Sequence, residues 1–332
     1  MAELLGPDDI ATAVAALERG DLVAFPTETV YGLGADAGSP SAVARIFAAK
    51  GRPRGHPLIV HIHDRGGLER LGRNVGEEAR ALADAFWPGP LTIIVGRGHG
   101  VAPETTGGRD TVGLRVPDHP VALALLRAFG RGVAAPSANR FGSVSPTTAA
   151  HVVDDLGDRV DYVVDGGPCR VGVESTIVDT TGSEPALLRP GGISPVEIEA
   201  VLGRPLLDGR AGPSRAPGML ISHYAPAVPV ELVETGDLVG ALAGAGDDVG
   251  VIAPYDGGGR CWWALPADAA GYGAGLYATL RDADRAGLRR LLVVAPTSGP
   301  LRDAVLDRLR KAAAPRPAGD GAAAPRPAGA ER

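Results

Sequence analysis

A group of cations in the sequence AAKGRPRGHPLIVHIH (48–63) is the first feature that could do chemistry. Its members are Lys50, Arg52, Arg54 and His56. They stand before a strand-like apolar run, and the chain contains no Asp or Glu between residues 37 and 63. Cations on a helix surface usually find acidic partners three or four residues away. An unpaired group therefore favours an external anion, the alternative being cations that offset the dipole of their own helix or face water.

A second candidate is the polar loop APSANRFGSVSP (135–146). Ser137, Asn139, Ser143 and Ser145 follow a strand-like segment, in a stretch that is broken by Gly and Pro. Such loops offer hydroxyl and backbone N–H groups to phosphates. An ordinary turn, held by local hydrogen bonds between side chains and backbone, is the alternative.

A pair of histidines lies two residues apart in a strand-like segment. The side chains of His61 and His63 would therefore project from one face of that strand. Such a pair can bind a metal, but the sequence offers no evident third ligand. We expect His61 to contact a substrate and predict no metal site.

Several familiar nucleotide and hydrolase motifs do not fit. The segment YGLGADAG (31–38) has the spacing GxGxxxG, and no acid follows where a dinucleotide fingerprint needs one. Neither lysine follows a glycine, so the chain has no GxxxxGK[ST] motif, and GxSxG is also absent. The sequence therefore excludes a P-loop nucleotidase and argues against a Rossmann oxidoreductase.

Composition limits the kinds of partner. The chain has 332 residues, 45% of them hydrophobic and 22% charged, with a formal net charge of −6. This charge argues against a surface that coats nucleic acid, so any anion site must be local. Only two lysines, Lys50 and Lys311, occur among 33 basic residues. A retained lysine can mark a position where a compact ammonium cannot be replaced by a guanidinium.

Location and redox state follow from what the sequence lacks. No uninterrupted apolar run is long enough to cross a bilayer, and MAELLGPDDI lacks the basic and apolar regions of a secretory signal. We therefore expect a cytoplasmic protein. Cys169 and Cys261 lie far apart and outside any CxxC pattern, which suggests neither a zinc site nor a disulfide framework.

Short strands and helices alternate over the first two hundred residues. The strand-like segments are LVAFPT (22–27), LIVHI (58–62), LTIIV (91–95), VGLRVP (112–117), VAAPSA (133–138), YVVDG (162–166), STIVDTT (175–181) and ALLRPG (186–191). Helical patterns include EEARALADAF (77–86), HPVALALLRAF (119–129) and SPSAVARIFAAKG (39–51). In the last of these, Ser39 is the expected N-cap, Pro40 the first helical residue and Gly51 the residue past the end. The pattern predicts an α/β or α+β domain with a substantial twisted sheet.

The rest of the chain divides into three parts. Residues 204–228 are rich in Gly and Pro and lack periodicity, which predicts an interdomain linker or lid. Strand-like and helical segments alternate again over 229–312 and predict a small βαβ-like domain. The octet AAAPRPAG occurs twice near the end, and we expect 313–332 to be a disordered tail. Residues 1–203 would then form the first domain, which contains most of the candidate site residues.

Several segments, taken together in their order and spacing, resemble one family. They are FPTETVYGLGADA (25–37), KGRPRGHPLIVHI (50–62), WPGPLT (87–92), VGLRVPDHP (112–120), APSANRFGSVSPT (135–147), ESTIVD (174–179), LLRPGGIS (187–194) and APGMLISHYAP (216–226). They resemble the YrdC/Sua5 family, the L-threonylcarbamoyladenylate synthases, over residues 10 to about 312. The resemblance implies a YrdC-like twisted mixed α/β sheet with helices, followed by the small Rossmann-like α/β domain of the two-domain Sua5 type.

The resemblance also implies a reaction. Members of the family are nucleotidyltransferases that convert L-threonine, bicarbonate and ATP to L-threonylcarbamoyl-AMP and pyrophosphate, the first step of the t6A modification of tRNA. The anion bound by the cation group would then be a triphosphate. Mg²⁺ is expected to accompany ATP, held mainly by phosphates and water. The product would pass to a tRNA threonylcarbamoyltransferase complex, and direct binding of tRNA is expected to be weak.

The family's site residues carry over by motif. Those implied for threonine and its carbamate are Thr29, His61, Arg115, Ala135 and Ser175. Those implied for ATP are Lys50, Arg52, His56, Thr111, Ser137, Asn139, Ser145, Arg189 and Tyr224. Lys50 and Arg52 are also the expected catalytic residues, because cations offset the repulsion between a carbamate and an α-phosphate. The guanidinium of Arg115 suits a carboxylate, which it can bind through two hydrogen bonds.

Other functions remain as alternatives. A double-stranded RNA-binding regulator with a YrdC-like fold is disfavoured by the net acidity. The hydrogenase-maturation carbamoyltransferase shares a YrdC-like module, but it should carry CxxC zinc motifs that this sequence lacks. A nucleotide-binding module without catalysis would bind nucleotide regardless of threonine.

Overall fold

The computed structural model describes residues 2–210, 216–218, 224–259 and 261–315. The helices in this part of the chain are α1 (Ile10–Arg19), α2 (Pro40–Lys50), α3 (Gly66–Leu71), α4 (Glu77–Phe86), α5 (Pro120–Phe129), α6 (Ala149–Leu156), α7 (Pro195–Leu202), α8 (Leu238–Leu242), α9 (Ala269–Arg285) and α10 (Arg302–Ala313). The strands are β1 (Glu3–Leu5), β2 (Val23–Phe25), β3 (Gly32–Asp36), β4 (Ile59–His61), β5 (Gly72–Arg73), β6 (Leu91–Arg97), β7 (Thr111–Arg115), β8 (Val133–Ala134), β9 (Tyr162–Val164), β10 (Thr176–Asp179), β11 (Ala186–Arg189), β12 (Leu207–Asp208), β13 (Val230–Leu232), β14 (Val249–Ala253), β15 (Trp262–Ala264) and β16 (Arg290–Val293).

The first sheet is large and mixed. Within the described residues it holds twelve strands in the order β1, β9, β2, β3, β8, β4, β7, β6, β10, β11, β12, with β5 paired to β6. The sheet contains parallel pairs such as β4 with β7 and antiparallel pairs such as β6 with β7. The predicted mixed α/β fold is therefore confirmed.

The second sheet is small and parallel. Its order is β13, β16, β14, β15, and every pair in that order is parallel. Helix α8 connects β13 to β14 and α9 connects β15 to β16, and each connection crosses one intervening strand to reach a parallel strand. Helix α10 follows the last strand and packs against α9 and β13.

The connection between the sheets and the end of the chain differ in detail from the sequence predictions. Strand β12 lies within the segment 204–228 that was predicted as a linker, because it pairs with β11 at the sheet edge. The boundaries at 203 and 229 stay predictions. Helix α10 includes Ala313, the first residue of the predicted tail, and residues 316–332 of that tail lie outside the described residues.

Helix α2 ends at the cation group and forms as its sequence predicts. The Ser39 side chain accepts a hydrogen bond from the Ala42 N–H, and Pro40 is the first helical residue. Gly51 ends the helix with φ +66° in the left-handed region, which glycine adopts without strain. Lys50 is consequently the last helical residue, and Arg52 begins the following loop.

Candidate active site

One cavity in the first sheet's unit brings most of the predicted site residues together. It encloses about 50 Å³, far less than the roughly 300–1,000 Å³ typical of ligand pockets. The predicted residues in its lining are Thr29, Arg52, His61, Arg115, Ala135, Ser137, Ser175, Arg189 and Tyr224. Thr111 lines a smaller neighbouring cavity, which shares Ile59 and Pro217 with the first. The lining of the first cavity does not include Lys50, His56, Asn139 or Ser145.

Strand ends position the polar groups of this cavity. His61 and Arg115 are the last residues of the parallel strands β4 and β7 and lie side by side in their register. Ala135 follows β8, Ser175 precedes β10, and Arg189 ends β11. Residues far apart in the chain thus meet because their strands are neighbours in one sheet.

Arg115 is held by groups that the FPTETVYG segment supplies. Its Nη1 donates a hydrogen bond to Thr29 Oγ1 at 3.0 Å, and its Nε donates to the Gly89 carbonyl at 3.3 Å. Nη2 lies 2.6 Å from Glu28 Oε2, in the geometry of an ion pair and not of an aligned hydrogen bond. Thr29 is itself bonded to Thr27 at 2.9 Å. The motif TET thus fixes the guanidinium, and Glu28 is a residue that the sequence reasoning missed.

His61 is a neutral imidazole at the cavity wall. Burial, and after it the charge of Arg115, lowers its pKa well below the usual value. The ring packs edge-on against Phe25 with centroids 6.0 Å apart. Its Nδ1 has no hydrogen-bond partner among the described residues. An uncharged nitrogen at a cavity wall can bond a polar ligand atom.

Arg189 links Ser175 to Pro217 in the lining of the cavity. Its guanidinium donates to the Ser175 carbonyl at 2.8 and 3.1 Å and to Ser175 Oγ at 3.1 Å. Its Nη1 donates to the Pro217 carbonyl at 3.1 Å. Ser175 Oγ also bonds Thr92 Oγ1 at 2.8 Å. One buried cation therefore orders both a hydroxyl and a carbonyl at the cavity.

Arg52 brings a buried positive charge into the lining. Its Nη2 donates to the Pro57 carbonyl at 3.0 Å, and its guanidinium lies 5.5 Å from the Phe141 ring centre. His56 packs edge-on against the same ring with centroids 5.5 Å apart. Burial lowers the pKa of Arg52 to about 10. Within the described residues, neither Arg52 nor Arg189 forms an ion pair with a carboxylate, which leaves charge available for an anion.

Lys50 faces the loop of residues 137–139. Its Nζ donates to the carbonyl oxygens of Ser137 at 2.6 Å and Asn139 at 2.5 Å. Burial, and after it Arg52, lowers the pKa of Lys50 well below the usual value. Asn139 in turn donates through Nδ2 to the Arg140 and Ser143 carbonyls. In this structure the predicted catalytic lysine shapes the polar loop from outside the cavity.

Glu174 is a second carboxylate that the sequence reasoning did not single out. It lines the cavity and accepts a hydrogen bond from Ser145 Oγ at 2.6 Å. Tyr277 of α9 donates to its two oxygens at 3.0 and 3.2 Å, and Arg308 of α10 lies 2.7 Å away. The first residue of ESTIVD thus joins the two sheet units. A lone Glu before a strand carries no sequence signal for a partner some 130 residues away.

Pro217, Gly218 and Tyr224 also line the cavity. Tyr224 is buried and stacks on Tyr277 with ring centroids 5.9 Å apart. Its backbone has φ +62°, a conformation uncommon outside glycine. Burial, and after it Glu174, raises the pKa of Tyr224 to about 12. Residues 219–223, in the middle of the segment APGMLISHYAP (216–226), lie outside the described residues.

Two further features of the described residues bear on cofactors and membranes. No group of three or more His, Cys, Asp or Glu side chains in this part of the chain could hold a metal ion. None of its helices combines the length and apolarity required to cross a membrane.

Two family models together match most of the chain. The Sua5/YciO/YrdC model, described as telomere recombination, matches residues 15–191. The chain belongs to this family. A second model, described as threonylcarbamoyl-AMP synthase C-terminal domain, matches residues 193–314. The family resemblance in the sequence motifs is therefore confirmed.

Two relatives of this chain are named threonylcarbamoyl-AMP synthase. The threonylcarbamoyl-AMP synthase of Pyrococcus abyssi (strain GE5 / Orsay) is 42% identical over 317 residues, which are 91% of this chain and 93% of that protein. The threonylcarbamoyl-AMP synthase of Bacillus subtilis (strain 168) is 49% identical over 231 residues, 68% of this chain and 66% of that protein. The crystal structure of P. abyssi Sua5 complexed with L-threonine superposes with a TM-score of 0.88 at 39% identity, covering 94% of this chain and 97% of that chain. The similarity extends over both sheets.

Proposed function

We propose that the protein is a threonylcarbamoyl-AMP synthase, a nucleotidyltransferase that converts L-threonine, bicarbonate and ATP to L-threonylcarbamoyl-AMP and pyrophosphate. The observation that carries the proposal is the convergence of Arg52, Arg115 and Arg189 on one buried cavity. Two of these guanidinium groups bond neutral carbonyl or hydroxyl groups. Such an excess of buried positive charge suits a ligand with several negative charges.

The threonine part of the site would be built around Arg115. Its guanidinium can bind the amino acid's carboxylate, since Thr29 and Glu28 already fix its orientation. The neutral His61 and the hydroxyl of Ser175 can bond the polar atoms of threonine or its carbamate, and Ala135 contributes lining at this part of the cavity. Holding the carbamate beside the nucleotide contributes through proximity.

The nucleotide part of the site would be built around Arg52 and Arg189. A carbamate that attacks an α-phosphate brings two anions together, and at about 4 Å they repel by roughly 4 kcal/mol even at an effective dielectric near 20. Fixed guanidinium groups offset this repulsion as charge builds on the phosphoryl oxygens. Ser137 and Tyr224 line the same cavity, and Lys50 holds the carbonyl of Ser137. We propose supporting contacts to ATP for the remaining residues, which are His56, Thr111, Asn139 and Ser145.

Further parts of the proposal concern the surroundings of the reaction. Mg²⁺ would accompany ATP with phosphates and water as its main ligands. The product would be handed to a tRNA threonylcarbamoyltransferase complex for t6A synthesis in the cytoplasm. We propose the domain boundaries 1–203 for the catalytic domain, 204–228 for the linker and 229–312 for the C-terminal domain. The names of the relatives support the synthase and not the double-stranded RNA-binding regulator.

Pyrophosphate release tests the proposal. Purified protein is given ATP and Mg²⁺, with threonine and bicarbonate each supplied or omitted, and the adenylate product is sought by mass spectrometry. Release should need both co-substrates and should collapse in Lys50→Ala and Arg52→Ala, while Arg127→Ala, which changes an exposed cation of α5, keeps the activity. Release that ignores threonine or bicarbonate would contradict the proposal.

A further inference from the structure

Helix α10 brings two cations of the second sheet's unit to the cavity of the first. Arg308 and Lys311 are three residues apart and so lie on one face of the helix. The Arg308 side chain is fully buried, with Nε 2.7 Å from Glu174 Oε2. Its guanidinium also lies 5.1 Å from the centre of the Tyr224 ring. Because Glu174 and Tyr224 line the cavity, Arg308 touches the wall of the site from behind.

Arg308 decides the charge that Glu174 presents to the cavity. Ser145 and Tyr277 donate hydrogen bonds to this carboxylate, but both are neutral and leave its charge in place. Arg308 supplies the positive charge bonded directly to Glu174. Its guanidinium also bonds Asp307 at 2.5 Å, and Arg189 adds a second positive charge near Glu174. Without Arg308, a buried carboxylate would face an anionic ligand, and like charges repel strongly where water is excluded. Arg308 thus keeps the cavity compatible with a triphosphate.

Lys311 bonds the backbone of a residue that lines the cavity. Its Nζ donates to the Gly218 carbonyl at 2.7 Å and to Asp307 Oδ2 at 2.8 Å. Gly218 has φ +80°, and a Cβ there would lie 2.3 Å from Tyr224 Oη and 3.1 Å from Arg189 Cδ. Only glycine allows such an approach. Lys311 therefore fixes a carbonyl at the point where Tyr224 and Arg189 meet.

The two lysines of the chain have the same kind of contact. Lys50 donates to the carbonyls of Ser137 and Asn139, and Lys311 donates to the carbonyl of Gly218. Each is a compact ammonium that reaches loop oxygens next to the cavity, where the larger planar guanidinium has a different shape and donor geometry. In a chain with 33 basic residues, both retained lysines lie at the edge of the site.

We infer that Arg308 and Lys311 of α10 are positioning residues for nucleotide binding, although they belong to the second sheet's unit. Arg308 compensates the charge of Glu174 and supports Tyr224, and Lys311 fixes the Gly218 carbonyl beside Arg189. The inference rests on the proposed function in naming ATP as the ligand. It assigns the second unit a part in completing the site.

Binding of ATP with Mg²⁺ to the full chain, measured by equilibrium dialysis, tests the inference without requiring turnover. Arg308→Met and Lys311→Met should each weaken ATP binding about tenfold or more, as expected for a lost charged hydrogen bond, whereas threonine binding changes far less. Arg308→Lys should retain more ATP binding than Arg308→Met, because it keeps a charge beside Glu174. Circular dichroism shows whether each variant is folded.

Two control variants distinguish a specific effect on nucleotide binding from a general weakening of the contact between the two sheet units. Arg281→Met removes another buried cation that joins them, through Asp155 and the Val144 carbonyl, neither of which lines the cavity. Arg310→Met changes an exposed neighbour on α10. Both should bind ATP nearly as the unaltered protein does.

A double variant keeps the inference testable if Arg308→Met fails to fold. Arg308→Met with Glu174→Gln removes the unpaired charge, and it should fold and bind ATP better than Arg308→Met alone. The inference is overturned if Arg308→Met and Lys311→Met bind ATP as the Arg281→Met control does, or if ATP and threonine binding fall equally. Failure of the unaltered protein to bind ATP would overturn the proposed function as well.

Discussion

Arg115 and Glu28 form an ion pair at 2.6 Å whose side chains are only 4% and 0% exposed. Removing two charges from water is costly and is tolerated because each charge neutralises the other. Since Arg115 also donates to Thr29, the carboxylate of Glu28 sets the orientation of the guanidinium from behind the cavity. We therefore propose that Glu28 supports the proposed threonine site by holding Arg115 in place.

Replacing Glu28 tests the value of this buried pair. Glu28→Gln should lower the free energy of unfolding by about 3 kcal/mol or more, because Arg115 would stay buried without its counterion. Urea unfolding followed by circular dichroism measures the change. The control Glu69→Gln breaks an exposed pair with Arg80, 2.8 Å apart, and should cost less than about 1 kcal/mol. Equal losses in the free energy of unfolding would show that the buried pair stabilises the protein no more than the exposed pair does.

The activity should depend on the shape of the side chain at position 50 as well as on its charge. Lys50→Met removes the donor that holds the Ser137 and Asn139 carbonyls, so kcat/KM for ATP should fall about tenfold to a hundredfold. Lys50→Arg keeps a charge but replaces a compact ammonium with a planar fork, and it should not restore the activity. Pyrophosphate release measures both, with Arg45→Met, an exposed cation on the same helix, as the control. Full activity of Lys50→Arg would contradict this expectation.

Arg52 and Arg189 should differ in which substrate they affect. Arg52→Met should raise the KM for ATP with little change in the KM for threonine, because its contacts run to Pro57 and Phe141. Arg189→Met should raise both KM values, since Arg189 also orients Ser175. Steady-state kinetics with each substrate varied in turn gives the two values, and the exposed Arg140→Met serves as the control. The same pattern in both variants would refute the division between the two parts of the site.

Local patterns predicted much of the fold. Helix α4 spans the predicted 77–86, and α2 has the predicted cap and stop. Strand β3 was missed because Gly32–Asp36 contains two glycines, which ordinarily weaken a strand. Here glycine is needed, since a Cβ on Gly34 would come within 2.9 Å of the Phe25 ring and the Val23 carbonyl. Close packing between strands overrode the local preference.

The candidate site was predictable only where motifs marked it. Arg52 and Arg115 stand in recognisable segments, whereas Arg308 lies in an ordinary amphipathic helix with many charges. Its burial against Glu174 depends on how the second sheet's unit packs on the first. Contacts across some 130 residues leave no periodic signal in a single sequence. Residues such as Arg308, which contact the lining of the cavity from behind, could therefore be identified only from the structure.

The pH dependence of stability should report the charge of Glu174. Burial alone would raise its pKa, but Arg308, Arg189 and the Ser145 hydrogen bond outweigh burial and lower it to about 2. The pKa of a Glu side chain in an unfolded chain is about 4.3. The unfolded chain therefore binds more protons than the folded protein between about pH 2 and pH 5. The stabilisation, of order 3 kcal/mol, is complete above about pH 5 and is lost as the pH falls toward 2.

Glu174→Gln makes this dependence measurable. At pH 7 the variant should be less stable than the unaltered protein, because Arg308 loses the charge of Glu174 and, among the described residues, keeps only Asp307 as an acidic partner. The difference should shrink as the pH falls from 5 toward 3. Urea unfolding at a series of pH values gives both curves, and Glu184→Gln, which changes an exposed carboxylate, should lie near the unaltered protein at pH 7. An advantage of the unaltered protein over the variant that instead grows as the pH falls from 7 to 3 would mean that Glu174 is not ionised in the folded protein. Arg308 would then face a neutral carboxyl group, and its role in setting the charge of the cavity would have to be abandoned.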